Sequence, residues 1–239
     1  MKVNFEKLKE LDFHSNEAYK TLRTNISFCG DEVKVIAFTS ATPNEGKSVV
    51  SFRLAQAFGQ DEKKVLYIDA DIRKSVLEAR YGLDVETKGL SHYLAGKAKI
   101  NEIIYETSID NMDMIFTGPV VPNPSELLGN SKFAALIIEA REKYDYVIID
   151  CPPVGSVIDA AVVAKQCDGA VLVIETDNVS YKMLQKVKVQ MEQSGCRMLG
   201  AVLNKVEISG KGYGKYYGKY YGKYYGSAYG GYYGRDEDE

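Results

Sequence analysis

No apolar run in this sequence approaches the ~18 residues that a membrane span requires. Histidine is scarce: His14 and His92 are the only two, which leaves little basis for histidine-centred acid–base catalysis. The four cysteines (Cys29, Cys151, Cys167 and Cys196) are scattered, with no C-x-x-C pair and no histidine cluster beside them. That pattern argues against zinc and against a disulfide framework, and fits reduced thiols in a cytosol. A strong charge of either sign is also missing, and a net charge of −3 gives no reason to expect nucleic acid. Residues 1–12 are charged and lack the apolar centre of a signal peptide. Any membrane role is therefore expected to run through a partner.

The chain has 239 residues, 45% of them hydrophobic, which suits one α/β domain with a substantial core and an appendage. The stretch that organises it is Ala41-Thr42-Pro43-Asn44-Glu45-Gly46-Lys47-Ser48, between the apolar Val33–Thr39 and a helical run reaching about Phe58. A small residue, four positions, then Gly-Lys-Ser is the spacing of a phosphate-binding P-loop. A glycine-rich bend lets successive backbone N–H groups converge on phosphate oxygens, and the following helix adds the positive end of its dipole. Lys47 then reaches the terminal phosphates and the Ser48 hydroxyl can ligate Mg²⁺.

Further strands read at Val65–Ile68, Met112–Phe116, Tyr146–Ile149, Ala170–Glu175 and Met198–Asn204, with a helix over Val179–Ser194. Six strands alternating with helices predict a doubly wound, mostly parallel sheet, whose strand C-termini open onto one crevice. The second strand ends in Asp69-Ala70-Asp71-Ile72-Arg73, so two carboxylates and an arginine are expected to face the phosphates, unless an aspartate merely caps the next helix. Asp150 ends the Tyr146 strand and is read as a Walker B acid, against the alternative of a turn residue before Pro152-Pro153. Asn204 either faces the nucleotide base or sits in a turn. The segment Pro122-Asn123-Pro124-Ser125-Glu126-Leu127-Leu128 reads as a rigid loop and helix start. Residues 17–26 read as a helix with Ser15 as N-cap, carrying Glu17, Lys20 and Arg23 on neighbouring positions; by composition alone these form a solvated charged face.

From Ser209 the composition changes. Gly-Lys-Tyr-Tyr repeats from Gly214, Gly218 and Gly222 and then degrades. Ten of the eighteen tyrosines fall there: Tyr213, Tyr216, Tyr217, Tyr220, Tyr221, Tyr224, Tyr225, Tyr229, Tyr232 and Tyr233. With hardly an aliphatic residue, residues 209–239 cannot build a core and are expected to be disordered, against residues 1–208 as the folded domain. A flexible segment of that length spans about 30 Å, against a radius of gyration near ~17 Å for the domain. It therefore reaches its own site or a neighbour's.

Taken together, the Ala41–Ser48 loop, Asp69-x-Asp71-x-Arg73, Ile148-Ile149-Asp150-x-Pro152, the 122–128 segment and the tyrosine cluster resemble the bacterial tyrosine kinases of capsule and exopolysaccharide loci, in their cytoplasmic Gram-positive form. Residues 17–23 are similar to that family's E-x-x-R-x-x-R oligomerisation motif, with Lys20 where an arginine is usual; lysine keeps the charge but not the bidentate pairing. The resemblance makes residues 1–32 an oligomerisation region. It implies an ATP- and Mg²⁺-dependent autokinase, arranged as a homo-oligomeric ring that transfers phosphate between subunits. It further implies a separate transmembrane activator of the polysaccharide co-polymerase type, a cognate phosphatase, and a cytoplasmic place at the inner face of the membrane. In the mechanism it implies, Lys47 binds the β- and γ-phosphates, while Ser48, Asp71 and Asp150 serve the metal. Arg73 serves phosphates or carboxylates, and Asp69 orients the phenol and takes its proton. A carboxylate with a pKa near ~4 would be a weak base for a phenol of pKa about 10, which predicts a late proton transfer. Two other readings compete: an assembly ATPase of the MinD/ParA type, and a nucleotide-gated scaffold. The MinD/ParA proteins carry an extra lysine near the loop's start, where this chain has Thr42, and lack a tyrosine tail.

Overall fold

A computed structural model describes residues 2–5, 7–75, 77–81, 88–155 and 157–206. The tyrosine-rich segment, and with it every candidate acceptor from Tyr213 to Tyr233, lies outside the described residues. The chain divides into two units, Met1–Asn204 and Lys205–Glu239, and the described helices and strands all belong to the first.

Along the chain run β1 (Lys2–Val3), α1 (Phe13–Ser27), β2 (Val35–Ser40), α2 (Lys47–Gly59), β3 (Val65–Asp69), α3 (Leu77–Tyr81) and α4 (Leu90–Leu94). They are followed by β4 (Tyr105–Thr107), β5 (Met112–Ile115), α5 (Pro124–Leu128), α6 (Ser131–Lys143) and β6 (Tyr146–Asp150). Last come α7 (Asp159–Ala164), β7 (Gly169–Glu175), α8 (Tyr181–Gln193) and β8 (Met198–Asn204). One sheet contains all eight strands in the order β1-β4-β5-β3-β6-β2-β7-β8. Its pairs are parallel except β4 with β5. The doubly wound, mostly parallel architecture is as the sequence implied.

The central strands are buried on both faces, which is why they read as continuous apolar runs rather than alternating ones. Val35 and Ala37 of β2 pack into one core with Leu66, Ile68, Ile149, Phe133 and Leu136. Ile36 and Phe38 point the other way, to Tyr67, Ile148, Phe52 and Phe58. Helix α2 lies in this second layer, where Phe52 stacks on Tyr81 and meets Phe5 edge-on.

Two expectations need correction. A strand precedes α1: Lys2–Val3 pairs with β4, and the sheet has eight strands rather than six. Strands of two and three residues at the sheet's margin are too short for any periodicity to show. Helix α1 starts at Phe13, not near Glu17, and its N-cap is Asp12 rather than Ser15. The Asp12 carboxylate accepts the Ser15 N–H at 2.9 Å and the Ser15 hydroxyl at 2.7 Å, so Ser15 is the residue being capped.

Candidate active site

The turn from β2 into α2 is held from behind. Gly46 has φ +91°, and a Cβ there would stand 2.1 Å from Asn204 Nδ2, so only glycine fits. That amide donates to the Glu45 carbonyl at 2.9 Å. The Glu45 carboxylate, fully buried, accepts the N–H groups of Thr42 at 2.6 Å and Glu175 at 3.3 Å. Asn204 and Glu45 thus shape the loop through its own backbone. Between the two sequence readings of Asn204, base contact and turn, lies a third role: its amide is committed to the loop. Replacing Asn204 by alanine removes one hydrogen bond worth about 1 kcal/mol. The Michaelis constant for ATP is expected to rise by about fivefold with kcat little changed, as steady-state kinetics would show.

Sheet order brings the acids to this loop. β3 and β6 are neighbours, and their register sets Asp69 opposite Asp150, about 5 Å apart by strand spacing. Both are 1% exposed. Lys47 Nζ lies 3.2 Å from Asp71 Oδ2, 3.3 and 3.4 Å from the two Asp150 oxygens, and 3.2 Å from Ser48 Oγ. Burial alone would depress the Lys47 ammonium, but Asp150, Asp71 and Asp69 carry its pKa above the ordinary lysine value. Asp150 is raised by burial against the opposing pull of Lys47 and Ser48. Asp69 is pushed up to about 7, first by burial and then by Asp150, with the Ser75 hydroxyl and Lys47 pulling the other way. Ser75 Oγ donates to Asp69 Oδ2 at 2.5 Å. The expectation of a base with an ordinary carboxylate pKa is therefore corrected. Its premise failed because burial and the facing Asp150 depend on strand order.

Arg73 is engaged by a different carboxylate, Asp159. Its Nε and Nη2 reach the two oxygens of Asp159 at 2.6 and 3.0 Å, and Nη2 lies 3.3 Å from Ser125 Oγ. Ser125 in turn donates to Asp159 Oδ1 at 2.5 Å. Asp159 is fully buried; these hydrogen bonds hold its pKa below the usual carboxylate value against the burial that would raise it. The sequence reading missed Asp159 altogether. An aspartate in an unremarkable Ile-Asp-Ala stretch carries no local sign that an arginine 86 positions away binds it.

A family model described as an AAA domain matches residues 33–196. The chain is 44% identical over 200 residues to the tyrosine-protein kinase CpsD of Streptococcus agalactiae, across 84% of this chain and 87% of that one. This chain belongs to the bacterial tyrosine kinases. The kinase is also 38% identical over 192 residues to the Escherichia coli tyrosine-protein kinase etk, which is 80% of this chain but 26% of that protein's length. The kinase domain of the Escherichia coli enzyme aligns with TM-score 0.75 at 35% identity, over 82% of this chain and 79% of that one. MinD of Pyrococcus horikoshii, complexed with Mg-ADP, aligns with TM-score 0.64 at 28% identity, over 74% and 72% of the two chains. The P-loop fold is shared with MinD; identity and coverage place the chain with the kinases.

Among the described residues of the kinase, no group of three or more His, Cys, Asp or Glu side chains is arranged to hold a metal alone. The donors beside the P-loop fit Mg²⁺ all the same. Ser48, Asp71 and Asp150 are hard oxygen ligands already gathered around a cation, the Lys47 ammonium. Mg²⁺ takes one or two carboxylates and leaves its other positions to water and phosphate. A groove of about 320 Å³ between residues 8–11, α1 and α2, lined by Tyr19, Arg53 and Gln56, contributes none of these acids.

On α1 of the kinase, Lys20 pairs with Glu17 at 2.7 Å on an exposed face. Arg23 donates to the Ala57 carbonyl at 2.9 Å and pairs with Asp61 at 3.2 Å, at the C-terminal end of α2. Within one chain, then, Arg23 is tied to the P-loop helix, while Glu17 and Lys20 face outward. No helix among the described residues is long and apolar enough to cross a membrane.

Proposed function

We propose that this kinase transfers the γ-phosphate of Mg-ATP to tyrosines of its own C-terminal cluster, between subunits of a ring. The observation that carries the reading is the gathering of Lys47, Asp69, Asp71 and Asp150 at adjoining strand ends beside the P-loop, in a tyrosine kinase whose sequence ends in ten closely spaced phenols.

In this reading Lys47 exchanges its carboxylate partners for the β- and γ-phosphate oxygens when ATP enters. The N–H groups of the Gly46–Ser48 turn and the α2 dipole face the same oxygens. The buried Thr42 hydroxyl, which has no hydrogen-bond partner among the described residues, is available to the nucleotide. Mg²⁺, held by Ser48, Asp71 and Asp150, would supply charge neutralisation on the phosphates. The phenol oxygen forms the new bond to phosphorus, the bond to the ADP oxygen breaks, and the phenolic proton passes to Asp69. In the chain without nucleotide or metal, burial and the facing Asp150 push the Asp69 pKa up to about 7, toward the range in which a base works at neutral pH.

The family resemblance supports the further reading that the kinase regulates capsule or exopolysaccharide synthesis. In this reading it works with a separate membrane activator and a cognate phosphatase, in the cytoplasm against the inner face of the membrane. Support for additional polypeptide comes from the etk kinase, in which the matched region is 26% of the length. The outward Glu17–Lys20 face of α1 is the surface assigned to ring contacts, and residues 209–239 form the acceptor tail. The test is incubation with γ-labelled ATP and Mg²⁺, with the activator's cytoplasmic segment present, followed by phosphosite mapping. Label on residues between Tyr213 and Tyr233 is expected. Free phosphate with an unlabelled tail would favour the ATPase reading, and no turnover at all would favour the scaffold.

A further inference from the structure

The 122–128 segment has no chemistry of its own in its composition, yet its Ser125 hydroxyl binds the buried Asp159 carboxylate beside the Asp69–Arg73 turn. Asp159 begins α7, Ser125 lies in the first turn of α5, and these two helices pack together. Asp159 receives three hydrogen bonds at 2.6, 3.0 and 2.5 Å, two from Arg73 and one from Ser125. A bidentate arginine–carboxylate pair fixes orientation as well as distance. Arg73 is two residues beyond Asp71 and four beyond Asp69. Between them the chain makes a tight turn: the Lys74 N–H donates to both the carbonyl and the carboxylate of Asp71, each at 3.2 Å, and the Asp71 N–H donates to Asp69 Oδ1 at 3.2 Å. These bonds are long; shorter ones come from the Ser75 hydroxyl on Asp69 at 2.5 Å and the Ala70 N–H on the Asp150 carbonyl at 2.9 Å, and the Ile72 side chain is buried in the core. The Arg73 side chain, beyond these, is tied to α7 through Asp159.

We infer that Asp159 and Ser125 are positioning residues, which act through Arg73 to hold the Asp69–Arg73 turn with its carboxylates at the P-loop. This inference rests on the proposed roles of Asp69 and Asp71. It gives Arg73 a task other than phosphate contact, and it couples the 122–128 segment to the reaction without either touching substrate. A carboxylate displaced by about 1 Å can cost ~100-fold in rate, so a clamp of this kind is felt in kcat. Nucleotide affinity, set mainly by the P-loop, should stay.

The experiment uses the full chain and four variants: Asp159→Asn, Ser125→Ala, Arg73→Lys and, as control, Asp168→Asn. Asp168 forms an equally bidentate pair with Arg141, at 2.8 and 2.9 Å, but its carboxylate binds the Lys34 and Val35 N–H groups at the opposite end of β2. Asp159→Asn is expected to lower kcat by about 10- to 100-fold with the Michaelis constant for ATP within about twofold of the parent. Arg73→Lys, which keeps charge and one bond, should fall between it and the parent, and Ser125→Ala should lose less than Arg73→Lys. Asp168→Asn should reduce the unfolding midpoint and leave kcat alone. A second readout needs no turnover: hydrogen exchange at Ala70–Lys74 should quicken by about tenfold or more in Asp159→Asn, while the 41–48 loop is unchanged. Equal exchange in parent and variant would overturn the inference, whatever the activity. So would a raised Michaelis constant at constant kcat in Arg73→Lys, which would make Arg73 a nucleotide contact. If the parent transfers no phosphate but exchange quickens as stated, the clamp stands and the reading of the reaction falls.

Discussion

Lys47→Met is expected to abolish phosphate transfer and, with no nucleotide present, to destabilise the folded chain. The first effect follows from losing the cation proposed to meet the terminal phosphates; removing one such electrostatic contact costs about 100- to 1,000-fold. The second arises from the task Lys47 performs in the absence of ATP. Its ammonium lies between Asp71 and Asp150, with exposures of 8%, 8% and 1% for the three residues. Methionine fills similar space but leaves two carboxylates facing a third without a counter-charge. Removing one partner from a buried ion pair costs about 3–5 kcal/mol. The penalty should be smaller at pH 6 than at pH 8, because Asp69, pushed up to about 7, can then accept a proton and give up its repulsion of Asp150. Denaturant unfolding at the two pH values measures this. An unchanged midpoint at pH 8 would mean the strand-end acids do not depend on Lys47, and the electrostatic account of the site would fail.

Asp69→Asn should have the reverse effect on stability while still disabling the enzyme. If Asp69 is the base proposed above, its loss costs about 100- to 10,000-fold, read as the rate of tail labelling. Stability is expected to rise at pH 8. In the folded chain the Asp69 pKa is pushed up to about 7 from the ordinary 3.8. Between those values the folded state binds the proton more tightly than the unfolded state does. Stability is therefore lost as pH climbs from about 4 through about 7, the opposite of a salt-bridged aspartate. Asparagine keeps an acceptor for the Ser75 hydroxyl and removes the charge that Asp150 repels. Without nucleotide or Mg²⁺, the parent's unfolding midpoint should fall from pH 5 to pH 8, and the variant's should fall less. The two curves should converge only below about pH 4, where Asp69 is neutral in the folded and the unfolded chain alike. A variant less stable than the parent at pH 8 would show that the Asp69 charge is compensated, and the raised pKa would lose its structural basis. Destabilising charge kept at a working site is the usual trade of stability against activity.

The two predictions draw on different parts of the chain's legibility. Lys47 and Ser48 could be read directly, because a P-loop is made by consecutive residues and its function lies in their backbone. The long central strands were equally readable, since burial on both faces forces unbroken apolar runs such as Tyr146–Ile149. Asp69, Asp71 and Asp150 were found as strand-terminal acids by the rule that ligands gather at carboxyl ends of parallel strands. Their consequences were not readable. That Asp69 faces Asp150 depends on β3 lying beside β6, and strand order is settled by how helices pack on both faces. The same holds for Arg73: the sequence left it to phosphates or carboxylates, and the carboxylate that claimed it, Asp159, comes with Ser125 from across the fold.

Sequence alone determined the long central strands, the spacing of the anion-binding turn, the positions of the acids and the phenol-rich composition of residues 209–239, because each of these is local chemistry or local periodicity. Tertiary structure alone decided which charges face one another, the direction in which burial shifts them, and that Asp159 and Ser125 are the partners of Arg73. Such interactions join residues dozens of positions apart, and no local pattern records the partner that folding will supply.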